Sequence, residues 1–323
     1  MSKTKILITG ASGFIGTNLL EYYVSQGKEV INVDFEKPRN SEHLPYWKNV
    51  DIRDYNLLEK TLIEFNPEYI IHLAAQTDFD GKTLEYYDAN YIGTKNVLDA
   101  GKKCHNLKRL IFTSSQGVCK GKIPDNDDEY IIVHPYGESK KQAELIVKND
   151  KIIPYEWLIV RPTSIWGAWF GVPYRNFFDL LITKRYFHIG HQSGTKTYGY
   201  VGNTVYQLDE LLFADKSIVQ GKIFYLGDMP PYSIEEWANE IANELNIKIR
   251  RCPLFVLKLA AWVGDVLKIF KVHFPMTTYR LNNMTHNNIR DLSKIHQIAP
   301  NRPYTRIEGT KTTLKWLRVY TNK

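Results

Sequence analysis

Short apolar runs alternate with helix-like segments along the first 165 residues. Strands are predicted at residues 5–9, 29–34, 50–52, 69–74, 109–113 and 157–161, where β-branched and apolar side chains cluster. Helices are predicted between them at 14–26, 56–64, 85–103 and 137–148, where apolar residues recur every three or four positions. Strict alternation of strand and helix requires crossover connections and a parallel sheet covered on both faces. The pattern therefore predicts a doubly wound α/β fold.

The alternation weakens after residue 165. Aromatic residues and glycines cluster at 166–206, and further elements are implied at 233–245 and 306–318. We expect residues 1–165 to form the sheet domain. Residues 166–323 are expected to form mainly a smaller substrate-binding lobe, with some segments returning to the sheet domain.

The most apolar stretch of this second half is 254–270. Lys258, Asp265 and Lys268 interrupt it, so no spanning membrane segment is expected. A helix with these residues on one polar stripe is favoured as a core or interface element. A helix that contacts a membrane surface or a lipophilic substrate is the alternative.

A glycine motif follows the first predicted strand and opens the first predicted helix. Gly10, Gly13 and Gly16 allow a tight turn and a close approach of the backbone to a pyrophosphate at the helix N-terminus. Asp34 ends the second predicted strand, where a carboxylate accepts hydrogen bonds from ribose hydroxyls and repels a 2′-phosphate. These features predict a Rossmann-type dinucleotide site that prefers NAD to NADP.

A second group of residues provides candidate acid–base chemistry. Tyr136 and Lys140 lie four positions apart, on one face of a predicted helix. Tyrosine is a poor base at neutral pH, and a nearby ammonium stabilises its anion. Ser115 follows the fifth predicted strand directly, at the edge of a parallel sheet where ligands bind.

Composition and charge remove several classes of function. There are 42 Lys and Arg against 35 Asp and Glu, a net charge of +7 without a basic run, so no nucleic-acid partner is expected. Three cysteines with no CxxC pair, and no His pair at ligand spacing, argue against a disulfide framework and a metal site. The apolar run at the N-terminus is too short for a signal peptide. A cytoplasmic location is therefore expected.

Taken in order, these motifs resemble the extended short-chain dehydrogenase/reductase family, which contains the NAD-dependent epimerases and dehydratases. The resemblance covers nearly the whole chain. Besides the glycine motif and Asp34, it rests on Asp51-Ile-Arg-Asp54, His72-Leu-Ala-Ala75, Asn90-Tyr-Ile-Gly-Thr-Lys-Asn96, Ser114-Ser115, Tyr136 with Lys140, and Arg161-Pro-Thr163.

The resemblance implies roles for individual residues. It makes Tyr136 the catalytic acid/base and Ser115 the partner of the reacting oxygen, while Lys140 binds the nicotinamide ribose and lowers the pKa of Tyr136. Gln116 and Lys196 are implied on the substrate side, Lys196 for a diphosphate. The implied NAD contacts are Gly10, Ser12, Gly13, Phe14, Ile15, Gly16, Asp34, Asp51, Ile52, Leu73, Ala74, Ala75, Gln76, Asn90, Thr113, Tyr136, Lys140, Pro162, Thr163 and Ile165.

Three departures from the family pattern bear on the reaction. The 4,6-dehydratases carry an Asp-Glu pair where this chain has Gln116-Gly117, so we do not expect it to eliminate water. Cys119-Lys120 replaces the usual Tyr-Gly. Lys196 stands where arginine is commoner, which keeps the charge but loses a two-pronged grip on phosphate.

The resemblance implies an NAD-dependent oxidoreductase of secondary alcohols. A nucleotide-sugar 4-epimerase or keto-sugar reductase is favoured. A 3β-hydroxysteroid-type dehydrogenase is the alternative, because Tyr200-Val-Gly-Asn203 and the segment from Leu254 onward resemble that branch. An NAD-binding sensor or scaffold is the non-enzymatic alternative. Trp166 and Trp169 are candidates for a substrate wall or for core packing, and a homodimer through helices 85–103 and 137–148 is expected.

Overall fold

The computed structural model describes residues 3–119, 124, 126–190, 193–270, 272, 274 and 276–320. Lys120 lies outside these residues. The strands, in chain order, are β1 (Lys5–Thr9), β2 (Glu29–Asp34), β3 (Trp47–Asn49), β4 (Tyr69–His72), β5 (Arg109–Thr113), β6 (Glu156–Pro162), β7 (Ser164–Trp166), β8 (Phe187–Ile189), β9 (Thr195–Lys196), β10 (Tyr198–Tyr200), β11 (Ile223–Leu226), β12 (Tyr232–Ser233) and β13 (Arg250–Cys252).

Helices follow most of the strands of the first half and dominate the second. In chain order they are α1 (Phe14–Ser25), α2 (Tyr55–Phe65), α3 (Asp88–Gly101), α4 (Pro135–Asn149), α5 (Arg175–Ile182), α6 (Val201–Phe213), α7 (Lys216–Val219), α8 (Ile234–Leu245), α9 (Leu254–Ile269), α10 (Thr278–Thr285), α11 (Ser293–Ile298) and α12 (Arg306–Tyr320). Within the described part of the chain, none is long and apolar enough to cross a membrane.

Seven of the strands form one parallel sheet in the order β11-β6-β5-β4-β1-β2-β3. From β1 the chain winds outward through β2 and β3, then returns to place β4 on the other side of β1. The carboxyl ends of β1 and β4 therefore flank a crevice, the usual ligand site of such a sheet. The predicted doubly wound α/β fold is confirmed.

Both faces of the sheet are buried, as a parallel sheet requires. Ile6 and Ile8 of β1 pack with α1 and α6 on one face. Leu7 points to the other face, where it packs with residues of α2, α3 and α4. The near-continuous apolar runs of the central strands are explained by this two-sided burial.

The predicted third strand at 50–52 is wrong. The strand that pairs with β2 is β3, in the register Asn32 to Trp47 through Asp34 to Asn49. Val50 and Ile52 are buried because they anchor the following turn in the core, where Asp54 N donates to Asp51 O at 2.9 Å. Val50 N still donates to Asp34 O of β2 at 3.2 Å, but the strand ends at Asn49, and the apolar alternation of Val50 and Ile52 reflects their burial.

Candidate active site

A cavity of about 510 Å³ opens at the carboxyl ends of β1, β2, β4 and β5. It brings together most of the residues predicted from sequence: Gly10, Gly13, Phe14, Ile15, Gly16, Asp34, Asp51, Ile52, Leu73, Ala74, Ala75, Gln76, Thr113, Ser115, Tyr136, Lys140, Pro162, Thr163 and Ile165. Four others, Ser12, Asn90, Gln116 and Lys196, are not among its lining residues.

The glycine turn forms one end of the cavity. Gly10 has φ +76°, and a Cβ there would lie 2.5 Å from Ala74 N. A Cβ on Gly16 would lie 2.4 Å from Gly10 O. Only glycine permits both the left-handed backbone and these approaches. The turn delivers the N-terminus of α1, whose first turn contains no acidic residue, to a place where its dipole attracts phosphate.

Buried polar side chains hold this turn from behind. Asn32 accepts a hydrogen bond from Ala11 N at 3.0 Å and donates to Ser12 Oγ at 2.9 Å. Ser12 Oγ in turn donates to Glu36 O at 2.8 Å. The predicted cavity residue Ser12 therefore shapes the loop through its side chain. Asn32 was not singled out from sequence, although a buried Asn in an apolar strand is a detectable signal.

Asp34 borders the cavity at the end of β2. Its carboxylate accepts hydrogen bonds from Ser12 N and Glu36 N, each at 3.1 Å. Burial raises the pKa of Asp34, and these two backbone donors oppose the rise. The two bonds fix the carboxylate at the cavity edge, where the sequence predicts a contact with ribose hydroxyls.

Asp51 carries an ion pair that sequence reasoning missed. Arg53 Nη2 lies 2.6 Å from Asp51 Oδ2, and Arg53 Nη1 lies 3.1 Å from Asp88 Oδ1. The hydrogen bond from Arg53 lowers the pKa of the Asp51 carboxyl. Arg53 also lines the cavity, so it places a cation beside Asp51, one of the predicted NAD contacts.

The wall that follows β4 is braced by Asn90 of α3. Asn90 Oδ1 accepts from Gln76 N at 2.7 Å, and its Nδ2 donates to Gln76 O and Ser139 Oγ at 3.0 and 2.9 Å. Asn90 is fully buried, so it supports the loop and ties it to α4. His72, also buried, joins Thr9 Oγ1 at 2.7 Å to Thr94 Oγ1 at 3.0 Å.

Helix α4 presents the predicted acid–base pair to the cavity. It begins at Pro135, and the preceding His134 accepts a hydrogen bond from Tyr136 N at 3.1 Å. The Tyr136 ring packs edge-on against Phe79 and Tyr87, with centroids 5.4 and 5.8 Å apart. One turn later, Lys140 Nζ donates to Thr113 O at 3.0 Å, so the ammonium is held at the end of β5.

Burial dominates the protonation of this pair. It raises the pKa of Tyr136 to about 12, although a hydrogen bond with Ser115 lowers it and Tyr174 and Tyr87 add smaller increases. The net direction is opposite to the predicted effect of Lys140. Burial also lowers the pKa of Lys140 to about 8, against the attraction of Glu144. Both shifts have one cause, since burial disfavours the charged form of each group.

Two buried hydroxyl groups lie at the end of β5. Thr113 Oγ1 and Ser114 Oγ are buried at the cavity, and no group among the described residues hydrogen-bonds either of them. Buried polar atoms usually have a partner, so these hydroxyls fit a polar ligand in the cavity. Together with the glycine turn, the N-terminus of α1 and Asp34, they provide a site that fits a dinucleotide such as NAD.

The substrate-side residues are more dispersed. Gln116 follows Ser115 and donates to Ser164 Oγ at 3.1 Å, while its own Oε1 is buried with no partner among the described residues. Lys196 lies in β9, which pairs with β12. Burial lowers its pKa.

The two tryptophans do not line the cavity. Trp166 is buried in a core cluster, with its ring centroid 4.8 Å from that of Trp237. Trp169 packs against Tyr320 at 4.8 Å. The core-packing interpretation therefore holds for Trp166, whereas Trp169 is half-buried and lies outside the core clusters. Other lining residues escaped the sequence analysis because no motif marks them: Phe35, Arg39, Phe79, Tyr86 and Tyr174.

Comparison with known proteins places the chain in a family. Residues 6–203 match the model of the NAD dependent epimerase/dehydratase family. An N-acetyl-α-D-glucosaminyl-diphospho-ditrans,octacis-undecaprenol 4-epimerase of Escherichia coli O157:H7 is 28% identical over 98% of this chain and 96% of its own. A UDP-N-acetyl-α-D-glucosaminuronate decarboxylase of Bacillus cytotoxicus is 27% identical over 99% of both chains.

Solved structures agree on the fold. The enzyme WbmG of Bordetella bronchiseptica, in complex with NAD and UDP, matches with a TM-score of 0.75 at 20% identity. The match covers 99% of this chain and 96% of that one. The sheet, the crevice and the arrangement of the helices therefore recur in a protein whose sequence has diverged widely.

Proposed function

The chain belongs to the NAD-dependent epimerase/dehydratase family, and on that basis we propose that it inverts the C4 hydroxyl of a sugar carried on a diphosphate. The carrier predicted from sequence is a nucleotide. The E. coli relative, which spans nearly the whole chain, is named for 4-epimerisation of a sugar on a lipid diphosphate. Both substrates share a hexose and a diphosphate, and the proposal concerns that shared part.

The observation that carries this proposal is the convergence of Ser115, Tyr136 and Lys140 on the same cavity as the glycine turn. When bound, NAD supplies a reversible hydride acceptor. Tyr136 takes and returns the proton of the sugar hydroxyl at its phenolic oxygen. Ser115, hydrogen-bonded to Tyr136, orients the reacting oxygen.

Lys140 acts on the same proton. Its ammonium, fixed on Thr113 O, favours loss of the Tyr136 proton once a substrate hydroxyl is in place. The raised pKa of Tyr136 favours return of that proton to the ketone. An epimerase needs an acid/base of this kind, which both removes and returns the proton of one hydroxyl oxygen.

The other functions considered from sequence are less favoured. Relatives that cover the whole chain act on sugars by name, which argues against a 3β-hydroxysteroid substrate. A sensor or scaffold has no use for a buried Tyr136 with an ammonium one helical turn away. The absence of an Asp-Glu pair beside Ser115 argues against 4,6-dehydration. That this chain does not eliminate water stays a prediction.

The test is an assay of C4 inversion in D₂O. UDP-glucose and UDP-N-acetylglucosamine are incubated with the protein and NAD, and the C4 epimers are followed by proton NMR. We expect epimer without deuterium at C4 and without net reduction of NAD, because the hydrogen returns to its own carbon. A net build-up of reduced cofactor, or of a 4-keto-6-deoxy product, would contradict the proposal.

Lys196 is the proposed contact for the diphosphate. The cation is partly desolvated, which strengthens its attraction for an anion. Lys196→Ala should weaken UDP binding by about 1.5–3 kcal/mol, the value of a charged hydrogen bond, and leave NAD affinity unchanged. Calorimetric titration with each ligand measures both, and equal UDP affinity in the two proteins would remove Lys196 from the site.

We also propose a homodimer in the cytoplasm. Helices α3 and α4 pack side by side, and Ile92 of α3 is exposed to solvent, as expected for a face that a second copy covers. Cys104, Cys119 and Cys252 are free thiols, which suits a reducing compartment. Light scattering should give about twice 37.6 kDa. Protease treatment of intact cells should leave the protein uncut.

A further inference from the structure

Helix α9 turns its largest apolar side chains to the solvent. Phe255, Leu259, Trp262 and Ile269 are 73, 63, 63 and 78% exposed. They are spaced three, four or seven residues apart, so they share one side of the helix. Phe270, directly after α9, is exposed as well. An apolar surface this continuous is unusual on a monomer and marks a binding face.

The opposite side of α9 is locked into the protein. Leu257 and Ala261 are buried in a small cluster with Ile189 and Leu281. Gly264 lets the backbone of the next segment approach so closely that a Cβ there would lie 1.8 Å from Met276 O. The apolar side chains therefore cannot reach the core by rotation of the helix, because rotation would disrupt this contact.

The segment of the sequence that contains the face is rich in basic residues. Residues 248–280 contain seven Lys and Arg and a single acidic residue, Asp265. Asp265 accepts a hydrogen bond from Thr278 N at 3.2 Å, and so holds the start of α10. Lys258 and Lys268 of α9 are exposed, as is Arg280 of α10. Basic residues beside an apolar face match an anionic lipid surface.

The face belongs to the part of the molecule that carries Lys196. Strand β13, just before α9, pairs with β8, and β9 follows β8 along the chain. Gly194 packs against the end of α10, where a Cβ would lie 2.9 Å from His286 O. Lys196 bridges to Asn288 beyond that helix. The apolar face is thus built onto the same segments as the proposed diphosphate contact.

We propose that the exposed face of α9 binds the surface of an anionic lipid bilayer, with the helix lying in the interface. Trp262 and the Phe side chains enter the boundary between headgroups and acyl chains, and the lysines contact lipid phosphates. This docking brings Lys196 to a sugar whose diphosphate is attached to a lipid. That consequence rests on the proposed function, whereas the docking itself does not.

The test is sedimentation with vesicles of phosphatidylglycerol and phosphatidylcholine, compared with phosphatidylcholine alone. The double variant Leu259→Glu/Trp262→Glu removes the face. The control Leu57→Glu/Ile63→Glu makes the same charge change at two exposed apolar residues of α2. All four positions are exposed, so folding should survive, and circular dichroism checks that it does.

Wild type and control should sediment with the anionic vesicles. The α9 variant should bind at least about tenfold more weakly, because two apolar anchors are lost and two anionic charges are added. Wild type that stays in the supernatant, or an α9 variant that binds as well as wild type, would overturn the proposal. So would a halved mass of the α9 variant without vesicle binding by any of the proteins, since the face would then join two copies.

Activity separates this proposal from the proposed function. The α9 variant should retain full turnover of a water-soluble sugar diphosphate ester without vesicles, and should lose turnover of a polyprenyl-diphospho sugar embedded in them. Vesicle binding with no epimerisation of either substrate would contradict the function and leave the docking intact. Equal turnover of the embedded substrate by wild type and variant would overturn the role of docking in substrate delivery.

Discussion

Helices α4 and α9 depart in opposite directions from the rule that charges face water and apolar groups face the core. Helix α4 has a polar sequence, yet it buries Lys140 and Glu144 almost completely. Helix α9 has a strongly apolar sequence, yet it leaves Leu259 and Trp262 largely in water. Each arrangement lowers stability compared with an ordinary amphipathic helix.

The two helices differ in how the departure is compensated. Glu144 on α4 receives Arg161 Nε at 2.8 Å and Nη2 at 2.7 Å, so the buried charges satisfy one another inside the protein. The exposed face of α9 has no such partner among the described residues. Departures from the inside–outside rule tend to mark function. In α4 the compensation is internal, whereas in α9 we expect it from a lipid surface.

The largest expected effect tests the acid–base role that we propose for Tyr136 of α4. Tyr136→Phe removes the phenolic oxygen that transfers the proton. Turnover should fall by about 10²–10⁴-fold, the usual contribution of general acid–base catalysis. NAD affinity should remain, since the ring and its packing are kept. Steady-state kinetics measures the turnover, and calorimetry measures the NAD affinity. A variant with nearly normal turnover would mean that a group other than Tyr136 transfers the proton.

The next effect concerns the ion pair that makes burial possible. Glu144→Gln leaves the Arg161 guanidinium buried without its counter-charge and should cost about 3–5 kcal/mol of unfolding free energy. Glu64→Gln breaks the exposed pair with Lys60 and should cost less than about 1 kcal/mol. Urea titration of both compares them. Equal losses would show that burial does not distinguish the two pairs.

Helix α9 offers a matched pair of leucines two positions apart. Leu257 is buried and Leu259 is exposed. Leu257→Ala should reduce the unfolding free energy by about 2–4 kcal/mol, because it opens a space in a small core. Leu259→Ala should change it by less than about 0.5 kcal/mol. Thermal or urea unfolding measures both changes. A large loss of unfolding free energy in Leu259→Ala would mean that this side of α9 is covered in solution.

The smallest effect is a pH dependence that originates in α4. Burial lowers the pKa of Lys140 from 10.5 to about 8, so between these values the unfolded chain binds more protons than the folded one. The unfolding free energy of the wild type should therefore rise with pH in this window, by up to about 1.4 kcal/mol per pH unit, compared with Lys140→Met. Urea titrations of both proteins at the two ends of the window test this. A constant difference between them would exclude a buried Lys140 of lowered pKa.

Local patterns in the sequence determined the architecture and pointed to the candidate acid–base residues. Apolar periodicity predicted five of the seven strands of the sheet, since burial on both faces leaves continuous apolar runs, but it misplaced β3 and missed β11. The spacing of Gly10 and Gly16 identifies, from sequence alone, a turn in which the backbone leaves no room for a Cβ. Tyr136 and Lys140 line the same cavity because a four-residue spacing places them on one face of α4.

Contacts between distant parts of the chain were decided only by the tertiary structure. Whether Val50 pairs in a strand or anchors a turn depends on the register of an edge strand. Asn90 and Asn32 support the cavity walls through partners 14 and 21 residues away. The side of α9 that meets water depends on Met276 packing against Gly264, and apolar composition alone predicts burial there. Periodicity shows which side of each segment is apolar. Whether that side is buried, and against which surface, depends on neighbours that are remote in sequence.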